Sequence, residues 1–121
     1  MKLRNIKFKA KRLDNGEWVK GSLIKTPFGT FIEWYEDSIC NKREVNSDTV
    51  CQFTGLKDCK GNEVWEGDML EGSNKGEICF EQGAFLIHSI DDNTLYSLSN
   101  YTTWDGKITC KVIGNKFDKK E

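Results

Sequence analysis

Glycine and other turn-forming residues recur at short intervals along this chain of 121 residues. Glycine alone occurs 11 times, and no window of about twelve residues keeps the apolar spacing of an amphipathic helix without meeting a turn residue. Strands need only about five or six residues each, so they fit between such turns. The sequence therefore predicts a mainly β protein with little helix.

The first third of the chain has the pattern of a β-meander. Residues 6–11 read Ile-Lys-Phe-Lys-Ala-Lys, an alternation that is typical of a half-buried strand. Residues 14–16 (Asp-Asn-Gly) and 26–29 (Thr-Pro-Phe-Gly) have the composition of tight turns. We therefore expect three antiparallel strands up to Tyr35. Residues 36–49 are polar and irregular, and we expect a connecting loop that could hold a short helical turn after Asn46 or Ser47.

Strand-like segments return in the remainder of the chain, with turn residues between them. They cover residues 50–53, 69–71, 77–81, 84–90, 94–99 and 107–114. This regular spacing is typical of a small barrel or sandwich. By fold-level analogy, Gly-Asp before an apolar residue resembles the bend that starts a strand in many SH3-like barrels. We expect a meander and loop over residues 1–49 and an SH3-like barrel over residues 50–121, in one compact unit overall.

The basic side chains are concentrated near the start of the chain. The first 26 residues hold eight basic and two acidic side chains, whereas the remainder hold ten and seventeen. A basic strand beside an aromatic ring could follow a phosphate backbone and stack on a base; the residues concerned are Lys7, Lys9, Lys11, Arg12 and Trp18. The isoelectric point of about 5.9 opposes this interpretation. Nucleic-acid binding is therefore the alternative function, not the leading one.

The cysteine pattern indicates reduced thiols. There are five cysteines, and the charged N-terminus leads into no apolar leader segment, so we expect free thiols in a cytosol. No two cysteines have the close spacing of a zinc site, and His88 is the single histidine. We expect neither a metal nor another cofactor. We expect His88 to share a strand face with Leu86 and Ile90, as a packed core or edge residue and not as a general base.

Catalytic residues are not identifiable from these patterns. Glu66 and Asp68 would lie on one face of an extended strand, about 7 Å apart between Cα atoms. Gly67 between them predicts a bend instead, across which Asp68 would accept backbone N–H bonds. A thiol nucleophile would need His88 and a further residue to orient it, and the sequence offers no such residue. We therefore expect a protein that is not an enzyme.

Residues 50–70 carry a family resemblance. They read Val-Cys-Gln-Phe-Thr-Gly-Leu-Lys-Asp-Cys-Lys-Gly-Asn-Glu-Val-Trp-Glu-Gly-Asp-Met-Leu, which resembles the central signature of the YopX family of phage and prophage proteins. The matching positions are Gln52, Thr54, Gly55, Leu56, Asp58, Gly61, Trp65, Glu66, Gly67 and Asp68. Residues 6–10 and 112–115 resemble the first and last conserved segments of the family. Cys51, Cys59 and a tail without Asn-Pro depart from its usual pattern.

The resemblance implies a small phage-encoded protein of the bacterial cytoplasm and no particular activity. The signature itself consists of turn residues and a bend before a strand, so we interpret it as architectural. Four Trp, seven Phe and three Tyr are many large side chains for so small a core, and surplus aromatics favour interfaces. The leading hypothesis is a non-catalytic binding or assembly protein that self-associates, with a phage or host protein as a further partner and no membrane segment.

Overall fold

The computed structural model describes residues 6–72 and 75–118. The charged residues 1–5, on which the expectation of a missing leader partly depends, lie outside the described residues. The chain divides into two compact units, residues 1–53 and residues 54–121. No helix in the described part is long and apolar enough to cross a bilayer.

The described residues form eleven strands. They are β1 (Phe8–Lys11), β2 (Trp18–Thr26), β3 (Gly29–Glu36), β4 (Ile39–Glu44), β5 (Cys51–Lys57), β6 (Glu63–Trp65), β7 (Asp68–Glu71), β8 (Lys75–Glu81), β9 (Ala84–Ser89), β10 (Leu95–Ser97) and β11 (Lys111–Asn115). Two short 3₁₀ turns, Ser47–Thr49 and Leu98–Tyr101, are the helical elements among these residues. The prediction of a mainly β protein with little helix is confirmed.

The strands form two antiparallel sheets. Their orders are β4-β3-β2-β1-β5-β6 and β10-β9-β8-β7-β11. In the described part of the chain neither sheet closes into a barrel, so the SH3-like barrel expected for residues 50–121 is not confirmed. The division between the two compact units falls within β5, after Phe53.

The N-terminal meander is confirmed. Strand β1 pairs with β2, and β2 pairs with β3. At the first turn the Gly16 N–H donates to the Arg12 carbonyl at 2.9 Å, and Gly16 has a φ of +73°. This left-handed conformation favours glycine, which explains why the turn was recognisable. The second turn joins Thr26 to Gly29, which are paired directly across the strands.

The loop expected over residues 36–49 is wrong, because β4 lies within it. This strand pairs with β3 from Ile39 opposite Glu36 to Glu44 opposite Phe31. A two-residue turn with positive φ at Asp37 and Ser38 joins the two strands, as in tight hairpins. Strand β4 is an edge strand with mostly exposed side chains, so its sequence lacks the apolar alternation that predicts a strand.

The short helical turn after Asn46 is confirmed, since the Asn46 side chain caps the turn Ser47–Thr49 by accepting from the Asp48 N–H. The backbone around it also closes the core of the first unit. Leu13 donates to the Glu44 carbonyl and Asn46 donates to the Lys11 carbonyl. The end of β4 thus returns to the end of β1, and Val45 joins Ala10 and Ile32 in a buried apolar cluster.

The second unit has a larger apolar core. Strands β7, β8 and β9 form a second meander, and the predicted strands at residues 69–71, 77–81 and 84–90 correspond to them. The expected strand over 94–99 is shorter, because β10 ends at Ser97 and a 3₁₀ turn follows. The expected strand over 107–114 begins only at Lys111. The core residues are Val64, Leu70, Ile78, Ile87, Leu98, Ile108 and Cys110.

Candidate functional site

The first turn of the family signature is organised by Asp58. Its side chain is fully buried. One carboxylate oxygen accepts from the backbone N–H groups of Lys60 at 2.9 Å and Asn62 at 2.8 Å. The other accepts from the Asn62 side chain at 3.2 Å and from the Val112 N–H at 2.9 Å. Asp58 therefore holds the turn together and joins it to β11.

The protonation of Asp58 reflects two opposed effects. Burial disfavours the charged carboxylate and by itself would raise its pKa. The hydrogen bonds from Val112, Asn62 and Lys60 favour the charged form and outweigh burial, so the pKa of Asp58 lies below its ordinary value. A carboxylate that is held ionised in this way is a hydrogen-bond acceptor, which suits a structural role.

The second part of the signature is a bend at Gly67, whose φ is +85°. Asp68 is 2% exposed. One of its oxygens accepts from the Trp65 N–H at 2.7 Å, across the bend, and the other accepts from the Asn115 side-chain amide at 2.9 Å. The Asn115 amide also donates to the Glu66 carbonyl at 3.2 Å. These contacts have the form expected of Asp68 in a bend.

Asn115 was not identified as a partner of this bend from the sequence. The only signal was its position in residues 112–115, which resemble the last conserved segment of the family. In the structure its side chain also accepts from the Phe117 N–H at 3.0 Å. Asn115 therefore joins the C-terminal strand to the bend, as Asp58 joins it to the preceding turn.

The remaining signature residues lie on β5, β6 and the turn between them. Gln52 lies opposite Phe8 on β1 in the first unit. In the second unit, Thr54 donates to the Val64 carbonyl at 2.7 Å, and Leu56 packs against the apolar core. Trp65 is buried. Gly55 and Gly61 both have positive φ.

The basic residues of β1 and the aromatic residue of β2 lie together. Lys9 Nζ is 4.5 Å and Lys11 Nζ is 5.4 Å from the centroid of the Trp18 ring. Lys7 Nζ is 4.8 Å from the centroid of Phe53. Each ammonium therefore lies within cation–π range of a ring. Four of the five residues named for nucleic-acid contact are thus on one face.

Arg12, the fifth residue, has a different environment. Its guanidinium donates two hydrogen bonds to the Asp14 carboxylate, at 2.9 and 2.7 Å. The hydrogen bonds raise the pKa of Arg12 and lower the pKa of Asp14. Because the carboxylate offsets its charge, Arg12 contributes less to a positive surface than the lysines do.

We use the term outward face for the side of strands β1 to β4 that is turned away from the cluster of Ala10, Ile32 and Val45. On β3 this face carries Phe31, Glu33 and Tyr35, which alternate with the buried side of the strand. Lys42 lies opposite Glu33 on β4, and its Nζ is 4.9 Å from the centroid of Phe31. The sequence did not indicate this group, because β4 was expected to be a loop.

Two aromatic side chains are almost fully exposed at turns. Phe28, in the β2–β3 turn of the first unit, is 90% exposed, and Trp104, in the second unit, is 98% exposed. The turn that carries Trp104 is held by Thr103, which donates to the Lys107 carbonyl at 2.7 Å and accepts from the Gly106 N–H at 3.0 Å. Other exposed large apolar side chains are Ile6, Leu13, Tyr35, Ile39, Phe80, Ile90, Leu95 and Ile113.

The expectations for thiols and histidine have separate outcomes. All five cysteines are free: Cys40 and Cys59 are exposed, Cys79 is half-buried, and Cys51 and Cys110 are buried. Burial raises the pKa of Cys79, with nearby glutamates adding to the effect. His88 lies on β9 and is exposed, and its Nε2 is 2.5 Å from the Asn93 side-chain oxygen. The expected strand placement is therefore confirmed, and of the two expected positions, core or edge, the core position is wrong. Residues 6–72 and 75–118 contain no cluster of three or more potential metal ligands from His, Cys, Asp and Glu.

Comparison with known proteins agrees with the signature. No curated protein matches the chain. The family model of the YopX protein matches residues 7–121, which include both strands β1 and β11 and the turn and bend held by Asp58 and Asp68. The match thus covers almost the whole chain, and the chain belongs to the YopX family.

Proposed function

We propose that this YopX-family chain is a non-catalytic binding and assembly protein that self-associates. The observation that carries the proposal is Trp104, whose side chain is 98% exposed on a turn held by backbone hydrogen bonds. Exposed apolar side chains are common in proteins, but a tryptophan with almost no cover is not. Tryptophan is also the residue type most often found at the energetic centres of interfaces.

The free energy available from covering Trp104 is large enough to matter. Burying about 200 Å² of an aromatic side chain at about 25 cal/mol per Å² contributes about 5 kcal/mol before the entropy cost of association. The turn already fixes the backbone at Thr103 and Gly106, so little backbone order has to be gained on binding. Phe28, on its own hairpin turn, offers a second anchor of the same kind.

Light scattering and sedimentation equilibrium on the untagged protein test this proposal. We expect the mass to exceed the 13.9 kDa of one chain at high micromolar concentration. Trp104→Ala should shift the protein toward the monomer, whereas Asn100→Ala, at an exposed position of the neighbouring 3₁₀ turn, should not. A wild-type protein that stays at 13.9 kDa throughout contradicts self-association.

Three finer features belong to the same proposal. We infer a phage or prophage origin and action within the bacterial cytoplasm, supported by the signature at residues 50–70 and the free cysteines. A phage or host protein is a further candidate partner. We also infer that the second unit is a distant variant of an SH3-like barrel, on the basis of the bend at Gly67 before β7.

Nucleic-acid binding through the first unit is the second candidate function. It is favoured by the placement of Lys9 and Lys11 around Trp18. Lysines beside aromatic rings can pair with phosphates while the rings stack on bases. If the first unit binds nucleic acid, replacing both Lys9 and Lys11 by Glu should weaken the binding of a labelled oligonucleotide and reduce the salt dependence of that binding.

A further inference from the structure

The part of the outward face on β3 and β4 combines rings and a cation in a regular order. Phe31 and Tyr35 both lie on this face of β3, while Ile32 between them is buried in the core. Lys42 lies on the neighbouring strand, opposite Glu33, at a position midway between the two rings. Tyr35 is 67% exposed and Lys42 is also exposed.

The spacing of Phe31, Tyr35 and Lys42 suits an extended polymer whose units can stack on aromatic rings. Phe31 and Tyr35 are four residues apart on one strand, which corresponds to about 13 Å at the usual rise per residue. Lys42 Nζ lies 4.9 Å from the Phe31 centroid, and its strand position is opposite Glu33, between the two ring positions. Bases stack on such rings, and a lysine between them can pair with the connecting phosphate.

The surroundings add positive charge. On the same face, Lys20 on β2 lies opposite Lys9 on β1, and Lys9 lies over Trp18. The lysines of the outward face outnumber its glutamates, Glu33 and Glu44. Lysine is depleted at the centres of protein–protein interfaces, so this composition favours a polyanion over a protein as the occupant.

We propose that the outward face of β3 and β4 binds single-stranded nucleic acid, with Phe31 and Tyr35 stacking on bases and Lys42 pairing with a phosphate. This inference rests on the second candidate function and specifies both the strand class and a further set of residues. Unpaired bases are required, because the ring faces are accessible for stacking only to bases that have left a duplex. Glu33, opposite Lys42, weakens binding by repelling the phosphate.

Fluorescence anisotropy of labelled oligothymidine and oligouridine, about 20 nucleotides long, tests the proposal in low salt and at increasing salt. Wild-type protein should bind both single strands more tightly than a duplex of equal length. Lys42→Glu should weaken binding about tenfold and flatten the salt dependence. Glu33→Gln should strengthen binding, an outcome that a purely structural role of Glu33 does not predict.

A matched control separates this surface from general charge attraction. Lys25→Glu makes the same charge change on β2, on the side opposite to Lys20, and should change the affinity less than twofold. Phe31→Leu should weaken binding about fivefold or more without altering the salt dependence, because it removes stacking and no charge. If Phe31→Leu fails to fold by circular dichroism, Tyr35→Ala at the exposed ring replaces it.

Several results would overturn the inference. Equal losses from Lys25→Glu and Lys42→Glu indicate unspecific attraction, and tighter binding of the duplex excludes base stacking. If replacing Lys9 and Lys11 abolishes binding while Lys42→Glu, Phe31→Leu and Tyr35→Ala leave it intact, the site is on β1 and only this inference fails. If no oligonucleotide binds even in low salt, both this inference and the second candidate function fail.

Discussion

The two compact units of this protein are stabilised in different ways. In the first unit, successive strands β1 to β4 pair with their neighbours in sequence and enclose a small cluster of Ala10, Ile32 and Val45. In the second unit, Asp58 reaches Val112 and Asp68 reaches Asn115, which are 54 and 47 residues away along the chain. Pairing of successive strands and backbone bonds between the ends of β1 and β4 organise the first unit, whereas buried carboxylates join distant segments in the second.

The comparison also separates structural charges from charges that face a partner. Two acidic residues of the signature, Asp58 and Asp68, are buried and accept hydrogen bonds. In the first unit, Lys9 and Lys42 lie over aromatic rings on the outward face. Asp58 and Asp68 of the signature therefore make hydrogen bonds within the fold, and the surfaces proposed for binding lie mostly outside the signature.

Asp58→Ala is expected to have the largest effect. It removes the shared acceptor of four part-buried hydrogen bonds, from Lys60, Asn62 and Val112, and should lower the free energy of unfolding by about 3 kcal/mol or more. Asp14→Ala, which removes an exposed carboxylate in the first unit, should have little effect. Urea unfolding measures both variants. Equal stabilities for the two variants would contradict the conclusion that a buried carboxylate stabilises the second unit more than an exposed one stabilises the first.

Thiol labelling shows which unit is affected by the Asp58 change. Each unit contains one buried cysteine, Cys51 in the first and Cys110 in the second. We expect Asp58→Ala to speed the labelling of Cys110 much more than that of Cys51, because Asp58 accepts a hydrogen bond from Val112 on β11, two residues after Cys110. The unfolded wild-type protein, prepared without reductant, should titrate as five thiols per chain.

Asp68→Ala should have a smaller effect, about 1–3 kcal/mol, because it removes the acceptor for the Trp65 N–H and the Asn115 amide. Asn115→Ala should cost a similar amount and should add little to Asp68→Ala, since both changes break the same contact. A double-mutant cycle by urea unfolding measures this coupling. Unchanged stability with loss of a binding activity would instead favour a functional role for Asp68.

The smallest expected effect is a dependence of stability on pH. The pKa of Asp58 is lowered from its ordinary value of 3.8, so the unfolded chain binds this proton more readily than the folded one. The stabilising contribution is fully present above about pH 4 and is lost as the pH falls through the lower folded-state pKa. The exposed residues Asp14, Asp92 and Asp105 also have lowered pKa values, but solvent screens their contributions.

Free energies of unfolding measured between neutral and acidic pH test whether Asp58 stabilises the protein less as the pH falls. The wild type should lose stability on acidification more steeply than Asp58→Asn, which has no carboxylate to titrate at that position. If the two proteins follow parallel curves, Asp58 is not a source of the pH dependence. Asp14→Asn serves as the exposed control and should alter the curve little, because its carboxylate lies at the surface.

Much of the fold could be predicted because its signals are local. The turns at residues 14–16 and 26–29, the meander, and most of the strands in the second unit follow from alternation and from glycine at positive φ. Strand β4 could not be predicted, since its polar side chains lie on an exposed edge and are held by pairing with β3. The SH3-like barrel was predicted by analogy from the bend at Gly67 alone. Whether a sheet closes into a barrel depends on pairing between strands that are far apart in the chain, which one bend does not determine.

The candidate binding residues were likewise predictable only where they lie on strands joined by a recognisable turn. The grouping of Lys9 and Lys11 with Trp18 follows from two adjacent strands joined by a recognisable turn. The grouping of Phe31, Tyr35 and Lys42 required β4, so it was missed. Arg12 was included on charge alone, and only the structure shows its pairing with Asp14.

The sequence by itself determined the β class, the positions of the tight turns, the YopX membership and the bend at Gly67. These depend on backbone preferences and side-chain order within a few residues, which act wherever the segment lies. The tertiary structure decided which distant groups meet: Asp58 with Val112, Asp68 with Asn115, and Lys42 with Phe31. The first two pairs join residues that are far apart in the sequence, so they meet only when the chain between them has folded. The free energy of each of these buried contacts is therefore gained only after the intervening segments have packed.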